Sequence, residues 1–386
     1  MHWLSNSPWS PTGYGNQIEL FLPLLHAAGH RQSITAFYGL EGRGLTWQGI
    51  QVSPKAYHPY GQDIAAADAQ NEQSDLLMSL MDAWVCDADL LQKDGTPWVP
   101  WFPVDMEPLP PPVAKQVAKA FARIVFSKFG ERMVNDAGLD CMYVPHGVDT
   151  EKLSDKIPMM AARKTLRGAQ VNVRDDSFLL GMVAANQGNP SRKAFTANLR
   201  AFAELRKHHK DVQLYMHTAP TEARGGVNII EYAESLGLKI GEDVLFADSY
   251  LYMRGFPTEY MAMVYNAIDA HLLVSMGEGF GIPILEAQSC GAPVIVGDWT
   301  SMSELCFSGW KVPKEEADPW WTPLGAYQFQ PRYMAIYEQM NNAYRMKGNN
   351  EYRKRARKGA MQYDAKKVVS KYWLPVIKQL EDKLNG

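Results

Sequence analysis

The sequence contains few cysteines and no long apolar run. Its 386 residues include four cysteines that lie far apart, at positions 86, 141, 290 and 306. This spacing matches no zinc motif and indicates reduced thiols in a cytosolic protein. No window reaches the roughly 18 apolar residues that a membrane-spanning helix needs, and the N-terminus lacks the basic and apolar regions of a signal peptide. We therefore expect a cytoplasmic protein without a transmembrane segment.

A large excess of charge of either sign is also missing. Lys and Arg total 39 against 42 Asp and Glu, which gives a formal net charge of −3. The molecule as a whole is therefore not a generic nucleic-acid binder. Hydrophobic residues make up 46% and charged residues 21% of the chain, as in ordinary folded enzymes. A length of 386 residues favours two domains over a single core.

Short apolar runs alternate with helical segments along the chain, which is typical of α/β domains with doubly wound parallel sheets. The pattern predicts an N-terminal domain over 1–150, a linker over 151–176, a second domain over 177–330 and C-terminal helices over 331–386. In such sheets, the residues that bind ligands or take part in catalysis lie beyond the carboxyl ends of the strands. In the first domain, these positions are Asn6, Asp82, Asp105, Lys128 and His146.

The most informative stretch begins at Ser275 and reads SMGEGFGIPILEAQSCGAPVIVGDWTSMSE. It follows a predicted buried strand, and Pro283 fits the first turn of a helix, where its missing N–H costs nothing. A Gly-rich loop that meets a helix N-terminus suits a phosphate or another anion. Glu278 and Glu286 flank this loop, and carboxylates accept hydrogen bonds from sugar or ribose hydroxyls. The alternative is a loop carboxylate and a solvated helix carboxylate with no ligand.

The run EGFGIPILE, together with the Gly-x-Pro-Val-Ile strand after it, resembles the signature of retaining nucleotide-sugar glycosyltransferases of the GT-B architecture, above all glycosyltransferase family four. The resemblance implies two Rossmann-like domains that face a cleft, with a C-terminal helix returning to the first domain. It implies that the first domain lies on the acceptor side and that the second binds the nucleotide-sugar donor. It further implies that Glu278 lies by the donor-sugar hydroxyls and that Glu286 holds the ribose. The implied donor-binding residues of the loop are Gly279, Phe280 and Gly281.

Arg192 and Lys193 resemble the family's Arg…Lys-Gly element, whose cations neutralise the diphosphate of the donor. In this chain the two cations are adjacent, and Ala194 stands where Gly is usual. Lys193 is the implied catalytic cation, whereas Arg192 is either a second cation or directed to solvent. Cations suit a diphosphate whose negative charge grows as the glycosidic bond breaks. The resemblance implies no cofactor and no metal, and no Asp-x-Asp pair stands in a suitable position.

Four candidates lie in the first domain. Gly13 and Gly15 belong to a predicted loop before a helix from Gln17, where they let the backbone approach a ligand or form an ordinary turn. Asp105 stands where the family often has a His, and it either accepts a sugar hydroxyl or caps a turn. His146 either faces the cleft or is packed inside the domain.

In the second half of the chain, one tyrosine and one basic segment each allow two interpretations. Tyr250 lies in a predicted loop, Asp248–Tyr252, where it either stacks on the nucleotide base or is a surface aromatic without a ligand. The segment Arg345–Lys371 is basic. It is either a solvated helix face or a contact for an anionic acceptor, DNA phosphates or acidic lipid headgroups.

The resemblance implies an enzyme of the hexosyl- or glycosyltransferase class that moves a sugar from a nucleotide sugar to an acceptor with retention of configuration. The acceptor stays open among a glycan, a lipid, a protein and a modified DNA base. The last would make the protein a DNA-base glycosyltransferase of the viral type. Nucleotide-sugar epimerases and phosphorylases of the same fold are alternatives, as is a nucleic-acid-binding protein built on the basic C-terminal helix.

Overall fold

The computed structural model describes residues 1–222 and 225–386, with all their side chains except that of Asp94. The chain forms two compact units. Unit 1 contains Met1–Gly147, Thr322–Ala326 and Tyr363–Gly386, and unit 2 contains Val148–Trp321 and Tyr327–Gln362. Each unit has a largely parallel β-sheet accompanied by helices, so the predicted α/β fold class is confirmed.

Unit 1 contains an eight-stranded sheet in the order β3-β4-β2-β1-β5-β6-β7-β8. Its strands are β1 His2–Ser7, β2 Arg31–Ala36, β3 Leu45–Trp47, β4 Ile50–Pro54, β5 Leu76–Leu80, β6 Trp98–Phe102, β7 Ile124–Val125 and β8 Met142–Tyr143. Only the β3–β4 pair is antiparallel among the described strands of this sheet. The helices between these strands are α1 Gly13–Ala27, α2 Gln62–Asn71, α3 Ala88–Leu91, α4 Pro111–Val117 and α5 Lys128–Asp136.

Unit 2 contains a six-stranded parallel sheet in the order β11-β10-β9-β12-β13-β14 and a two-stranded hairpin, β15-β16. The strands are β9 Phe178–Val183, β10 Val212–His217, β11 Val244–Phe246, β12 Ala270–Leu273, β13 Val294–Gly297, β14 Gly309–Val312, β15 Ala317–Trp321 and β16 Tyr327–Pro331. The helices are α6 Met159–Gly168, α7 Phe195–His208, α8 Ile229–Ser235, α9 Ser249–Arg254, α10 Thr258–Ala267, α11 Ile282–Ser289, α12 Thr300–Leu305, α13 Tyr333–Arg345 and α14 Asn350–Ala360.

The last residues of the chain complete the core of unit 1. They form α15 Ala365–Val368, a π-helical turn at Val369–Trp373 and α16 Leu374–Asn385. The buried ring of Trp373 packs edge-on against Trp101 of β6, with centroids 4.8 Å apart, and against Phe21 of α1 at 6.1 Å. A buried aromatic side chain contributes about 1.5–3 kcal/mol of transfer free energy. This apolar contact is why the final segment belongs to unit 1.

Two predicted segments differ from the structure. The pattern from Trp47 to Val52 predicts one strand, but the chain reverses at Gln48 and Gly49, which both have positive φ angles (50° and 83°), and forms the β3–β4 hairpin. The predicted linker 151–176 contains α6, which is anchored in unit 2 by Arg163. The buried guanidinium of Arg163 pairs with Asp269 at 2.8 Å and donates to the backbone carbonyls of Ala267, Asp175 and Ser177.

The strand order locates the edge at which each sheet can bind a ligand. In unit 1, β2, β4 and β3 lie outward from β1 on one side, and β6, β7 and β8 lie outward from β5 on the other. In unit 2, the same reversal lies between β9 and β12. Loops that leave the carboxyl ends of two such neighbours diverge to opposite faces of the sheet and leave a crevice between them. Within the described part of the chain, no helix is long and apolar enough to cross a membrane.

Candidate donor site

Two cationic side chains meet a carboxylate where the strand order of unit 2 reverses. Arg192 and Lys193 lie between β9 and α7, and Glu278 lies between β12 and α11. Lys193 Nζ donates to Glu278 Oε1 at 2.6 Å, and Arg192 Nη1 donates to Glu278 Oε2 at 3.2 Å. Arg192 Nη1 also donates to the backbone carbonyl of Gly277. The fold therefore brings three of the predicted site residues into direct contact, with one positive charge in excess.

Glu278 is ionised at neutral pH despite its burial. Its side chain is about 5% exposed, against 16% for Lys193 and 39% for Arg192. Burial acts to raise the pKa of Glu278, but the charges of Lys193 and Arg192 outweigh it and lower this pKa from 4.5 to about 2. The carboxylate can therefore accept hydrogen bonds but does not serve as a proton donor near pH 7.

The backbone around Lys193 is held against the strand that leads to Glu278. Ala194 has φ 48° and ψ 40°, a left-handed conformation that Gly adopts more easily. This geometry accounts for the Gly that the family usually has at this position. Asn198 Nδ2 donates to the carbonyls of Ala194 and Val274, both at 3.0 Å, and Met276 N donates to the Arg192 carbonyl at 2.7 Å. Sequence reasoning missed Asn198, because an amide within a helix carries no motif.

The segment Trp299–Ser301, which we name the clamp, holds the loop that carries Glu278. Thr300 Oγ1 accepts from the Glu278 backbone N–H at 3.1 Å, and Ser301 Oγ lies 2.7 Å from the carbonyl oxygens of both Glu278 and Phe280. Trp299 Nε1 donates to the Ser275 carbonyl at 3.0 Å. Thr300 has φ 51°, a costly conformation for a β-branched residue, of about 1–3 kcal/mol. The clamp thus holds the backbone of the loop that carries Glu278 through these hydrogen bonds.

Helix α11 begins where the Gly-rich loop ends. Gly281 precedes it with φ 101° and ψ 53°, and a side chain there would meet Ile284 Cδ1 at 2.9 Å. The backbone angle therefore favours glycine at this position, and a Cβ would also require the end of the Ile284 side chain to shift. Pro283 lies in the first turn, as predicted, where no N–H is needed. The loop residues Gly279 and Phe280 are buried, so the loop is closely packed where it meets the start of α11.

Glu286, in the second turn of α11, is held by a tyrosine that the sequence did not reveal. Glu286 Oε2 accepts from the hydroxyl of Tyr265 of α10 at 2.7 Å. Burial raises the pKa of Glu286, and the hydrogen bond from Tyr265 opposes that effect. Tyr265 is fully buried, and its pKa lies well above 10 because of burial and the neighbouring carboxylate. Tyr265 therefore orients one carboxylate oxygen of Glu286.

The predicted glycine loop of unit 1 is shorter than expected. Gly13 and Gly15 lie in the first turn of α1, which Thr12 caps by accepting from Gly15 N, rather than in the loop before the helix. A Cβ on Gly15 would lie 1.9 Å from the carbonyl oxygen of Ser10. Gly15 is thus required by the close approach of its own preceding loop. The structure gives this internal reason for Gly15, and a ligand contact of Gly13 or Gly15 remains a prediction.

The two other candidates of unit 1 have different environments. Asp105 lies just beyond the carboxyl end of β6 and is partly exposed, so its predicted role toward a sugar hydroxyl stays open. His146 is buried, with its ring centroid 4.1 Å from Phe126 and 4.7 Å from Trp101. Burial lowers the pKa of His146 to about 3, so it is neutral. Of its two interpretations, the structure supports the packed one.

The candidates in the second half are on helices. Tyr250 lies in α9 and not in a loop, because Asp248 caps this helix by accepting from Leu251 N at 2.8 Å. Its exposed ring lies 5.8 Å from the Arg254 guanidinium, and stacking on a base remains a prediction.

The basic segment around α14 turns part of its charge inward. Arg353 donates to the carbonyls of Ile268 and Cys290, and Arg357 donates to those of Thr150, Leu153 and Ser289. Lys354 pairs with Glu351 at 2.7 Å on the surface. Two of the arginines that suggested an anionic partner therefore hold α14 to the rest of unit 2.

This architecture and site define a GT-B glycosyltransferase fold, which confirms the predicted resemblance. Residues 178–320 match the family model described as Glycosyl transferases group 1, and this segment contains the Arg192–Lys193–Glu278 cluster and the clamp. Among solved structures, Alr3699/HepE of Anabaena, in complex with UDP and glucose, has a TM-score of 0.72 at 16% identity. That similarity covers 98% of this chain and 99% of that one.

Two curated relatives match parts of the chain. The serotype-specific mannosyltransferase WbdA of Escherichia coli is 27% identical over 149 residues, 38% of this chain and 16% of WbdA. The D-inositol 3-phosphate glycosyltransferase of Corynebacterium jeikeium (strain K411) is 33% identical over 97 residues, 25% of this chain and 22% of that protein. The chain therefore aligns with less than a quarter of the length of these two relatives.

Proposed function

We propose that the protein transfers a sugar from a nucleotide-sugar donor to an acceptor with retention of the anomeric configuration. The observation that carries this proposal is the contact of Lys193 and Arg192 with a buried, ionised Glu278 at the strand-order reversal of unit 2. A crevice with two cations, a carboxylate and a nearby helix start can hold a diphosphate and sugar hydroxyls at once.

Lys193 and Arg192 are proposed to bind the donor diphosphate. The bond between the anomeric carbon and the phosphate oxygen breaks, and its electron pair leaves with the diphosphate. The acceptor oxygen forms the new bond on the same face of the sugar, and its proton passes to the leaving phosphate. Cations fixed beside the departing oxygen stabilise its growing charge, an effect worth about 10²–10³ in rate per donor group. Because these cations supply that charge, we propose that transfer requires no metal.

Three carboxylates are proposed to orient the substrate. Glu278, which is ionised at neutral pH, accepts hydrogen bonds from donor-sugar hydroxyls. These replace part of the hydrogen bonding that Glu278 receives from Lys193 and Arg192 in the absence of donor. Glu286, fixed by Tyr265, accepts from the ribose hydroxyls. Asp105, beyond β6, accepts a hydroxyl of the reacting sugar in the place of the family's usual His. The amides of Gly279–Gly281 add donors for the phosphates.

A structural neighbour supports a nucleoside diphosphate sugar as the donor. The names of two relatives describe a mannosyltransferase and an inositol-phosphate glycosyltransferase, and the structural neighbour was solved with UDP and glucose. The site of this chain is therefore best tested with several bases and sugars.

The first experiment is a thermal-shift screen of nucleotide sugars, since a ligand stabilises the state it binds according to its saturation. With the best donor, release of nucleoside diphosphate is measured in the presence of a panel of acceptors. We expect Lys193→Ala and Glu278→Ala to lose at least about a hundredfold in rate. Lys207→Ala, at an exposed lysine in the last turn of the following helix α7, is the matched control and should retain activity. EDTA should not change the rate.

Two outcomes would refute the proposal. Full activity in both site variants would reject the assignment of the cations and Glu278. Conversion of the donor into an isomeric nucleotide sugar without any added acceptor would identify an epimerase.

A further inference from the structure

The hairpin β15–β16 of unit 2 carries adjacent aromatic side chains on its surface. Trp321 and Tyr327 lie directly opposite each other, with ring centroids 4.8 Å apart and an interplanar angle of 67°. Trp321 is 57% exposed and Tyr327 is 41% exposed. Pro319, two residues before Trp321 and therefore on the same face of β15, is also exposed. Adjacent exposed apolar side chains, unlike scattered ones, mark an interaction surface. We name Pro319, Trp321 and Tyr327 the aromatic platform.

The hairpin is bonded to the loop that carries Glu278. Phe329 N, in β16, donates to the carbonyl of Met276, two residues before Glu278, at 2.9 Å. The buried ring of Phe329 also lies near Trp299 of the clamp, with centroids 6.3 Å apart. The aromatic platform is therefore attached directly to the proposed donor site, although none of its residues belongs to that site.

The outer edge of β15 does not suit pairing with a strand of another protein. Because Phe329 N donates away from the hairpin to Met276, Phe329 and Pro319 form a pair without mutual hydrogen bonds, and the nitrogen of Pro319 faces the outer edge. Proline has no N–H to donate, and it protects edge strands from added strands. A partner must therefore contact the aromatic rings instead of extending the sheet.

The charges around the aromatic platform favour a neutral, hydroxylated partner. Residues 313–332 contain three acidic and two basic residues: Glu315, Glu316, Asp318, Lys314 and Arg332. DNA phosphates and anionic lipid headgroups are bound by an excess of cations, which this segment lacks. Arg332 Nη2 donates to Asp318 Oδ1 at 2.6 Å, and both side chains are more than half exposed. Such a pair can accept hydrogen bonds from hydroxyls and donate to them.

We propose that the aromatic platform binds a neutral oligosaccharide and thereby anchors sugars of a glycan acceptor that lie away from the reacting one. This inference rests on the proposed transferase function, and it selects a glycan among the acceptor classes that the sequence leaves open. The exposed face of Trp321 packs on the C–H face of a pyranose, and the Tyr327 hydroxyl donates to and accepts from sugar hydroxyls. Because the anchored sugars are distant from the reaction, an oligosaccharide binds more tightly than a single sugar.

Binding is tested by saturation-transfer difference NMR on the full chain without a nucleotide. The probes are maltohexaose, isomaltohexaose and β-1,4-mannohexaose, with methyl α-D-glucopyranoside and methyl α-D-mannopyranoside as single sugars. We expect saturation of at least one hexasaccharide, and a dissociation constant about five- to tenfold weaker in Trp321→Ala because one aromatic contact is lost. The single sugars should bind more weakly than that hexasaccharide.

Three variants serve as controls for the Trp321→Ala result. Trp321→Phe keeps an aromatic face and should bind the hexasaccharide more tightly than Trp321→Leu, which is apolar but has no ring. Tyr57→Ala, at a side chain that is 97% exposed in unit 1, should bind as the wild type does. Since Trp321 is largely exposed, Trp321→Ala should unfold at the wild-type temperature, so that weaker binding reports the lost ring.

A separate arm distinguishes failure of this inference from failure of the proposed function. Calorimetry with UDP and with GDP measures the proposed donor site, which Lys193→Ala should weaken while hexasaccharide binding persists. Hexasaccharide binding that depends on Trp321, without any nucleotide binding by the wild type, would support the aromatic platform and reject the donor site.

Four outcomes would overturn the glycan assignment. Two are the absence of saturation with every hexasaccharide and equal dissociation constants in the wild type and Trp321→Ala. The third is Trp321-dependent sedimentation with phosphatidylcholine vesicles in the absence of hexasaccharide binding, which would assign the rings to a membrane surface. The fourth is Trp321-dependent self-association in analytical ultracentrifugation without hexasaccharide binding, which would assign them to a second copy of the chain.

Discussion

Replacing Glu278 with Gln removes the charge that pairs with Lys193 and Arg192 but keeps the shape of the side chain. In the folded protein the pKa of Glu278 is lowered from 4.5 to about 2. A group with a lowered folded pKa stabilises the protein fully above the unfolded value of 4.5 and loses this contribution as the pH falls toward 2. At about 1.36 kcal/mol per pH unit, the contribution at pH 7 is about 3 kcal/mol.

The predicted signature of Glu278→Gln is a pH-dependent difference from the wild type. At pH 3, about 2 kcal/mol of the wild-type contribution is already lost, so the two proteins should differ by about 1 kcal/mol there and by about 3 kcal/mol at pH 7. Urea unfolding with hydrogen-exchange mass spectrometry of peptides from 270–297 measures the free energy of unfolding of unit 2 separately. We therefore compare both proteins at the two pH values.

Glu286→Gln is the matched control, with the opposite sign. The pKa of Glu286 is raised by burial, so its ionised form costs stability once the pH rises through its folded pKa. This variant should gain on the wild type from pH 3 to pH 7. A difference between wild type and Glu278→Gln that is equal at both pH values would refute the assignment of an ionised, cation-stabilised Glu278.

Two further predictions concern residues that support unit 2. Thr300→Ala removes the acceptor of the buried Glu278 N–H and should cost about 1–3 kcal/mol of unfolding free energy, measured by urea unfolding. Thr300→Ser keeps the hydroxyl and should be near wild type, and Thr300→Gly should fall between because it relieves the φ of 51°. An equal loss in the Ala and Ser variants would contradict this prediction. Arg163→Met leaves Asp269 buried without its cation and should lower the free energy of unfolding by about 3–5 kcal/mol. Arg167→Met is the control, because the pair of Arg167 with Asp175 is more exposed, and it should cost less than about 1 kcal/mol. Similar losses in the two variants would show that Arg163 is not the anchor of α6.

The sequence predicted best those features that depend on residues close to one another along the chain. Gly281 needs a positive φ, Pro283 suits a first helical turn, and both follow directly from the residue type, so the run EGFGIPILE indicated the loop and its helix correctly. The α/β class followed from the alternation of apolar runs and helices, and it is confirmed. These features are encoded within a few residues of one another.

Features that depend on neighbours in space were not predictable. Tyr265 meets Glu286 from another helix, and Thr300 meets Glu278 across 22 positions of sequence, so no spacing rule reveals either contact. Gly15 was either a ligand-approach position or part of an ordinary turn, and the close approach of its backbone to Ser10 could not be read from the sequence. His146 kept two interpretations because its aromatic neighbours, Phe126 and Trp101, are distant from it in the sequence.

The division of the chain has a consequence for how the protein is made. Residues 363–386 contribute Trp373 to the aromatic core around Trp101, yet they are synthesised after all of unit 2. While the ribosome is still translating, the N-terminal 147 residues therefore wait with part of their apolar interior uncovered. Unit 2 contains none of residues 363–386, so we expect it to be the first to reach its native state on the nascent chain.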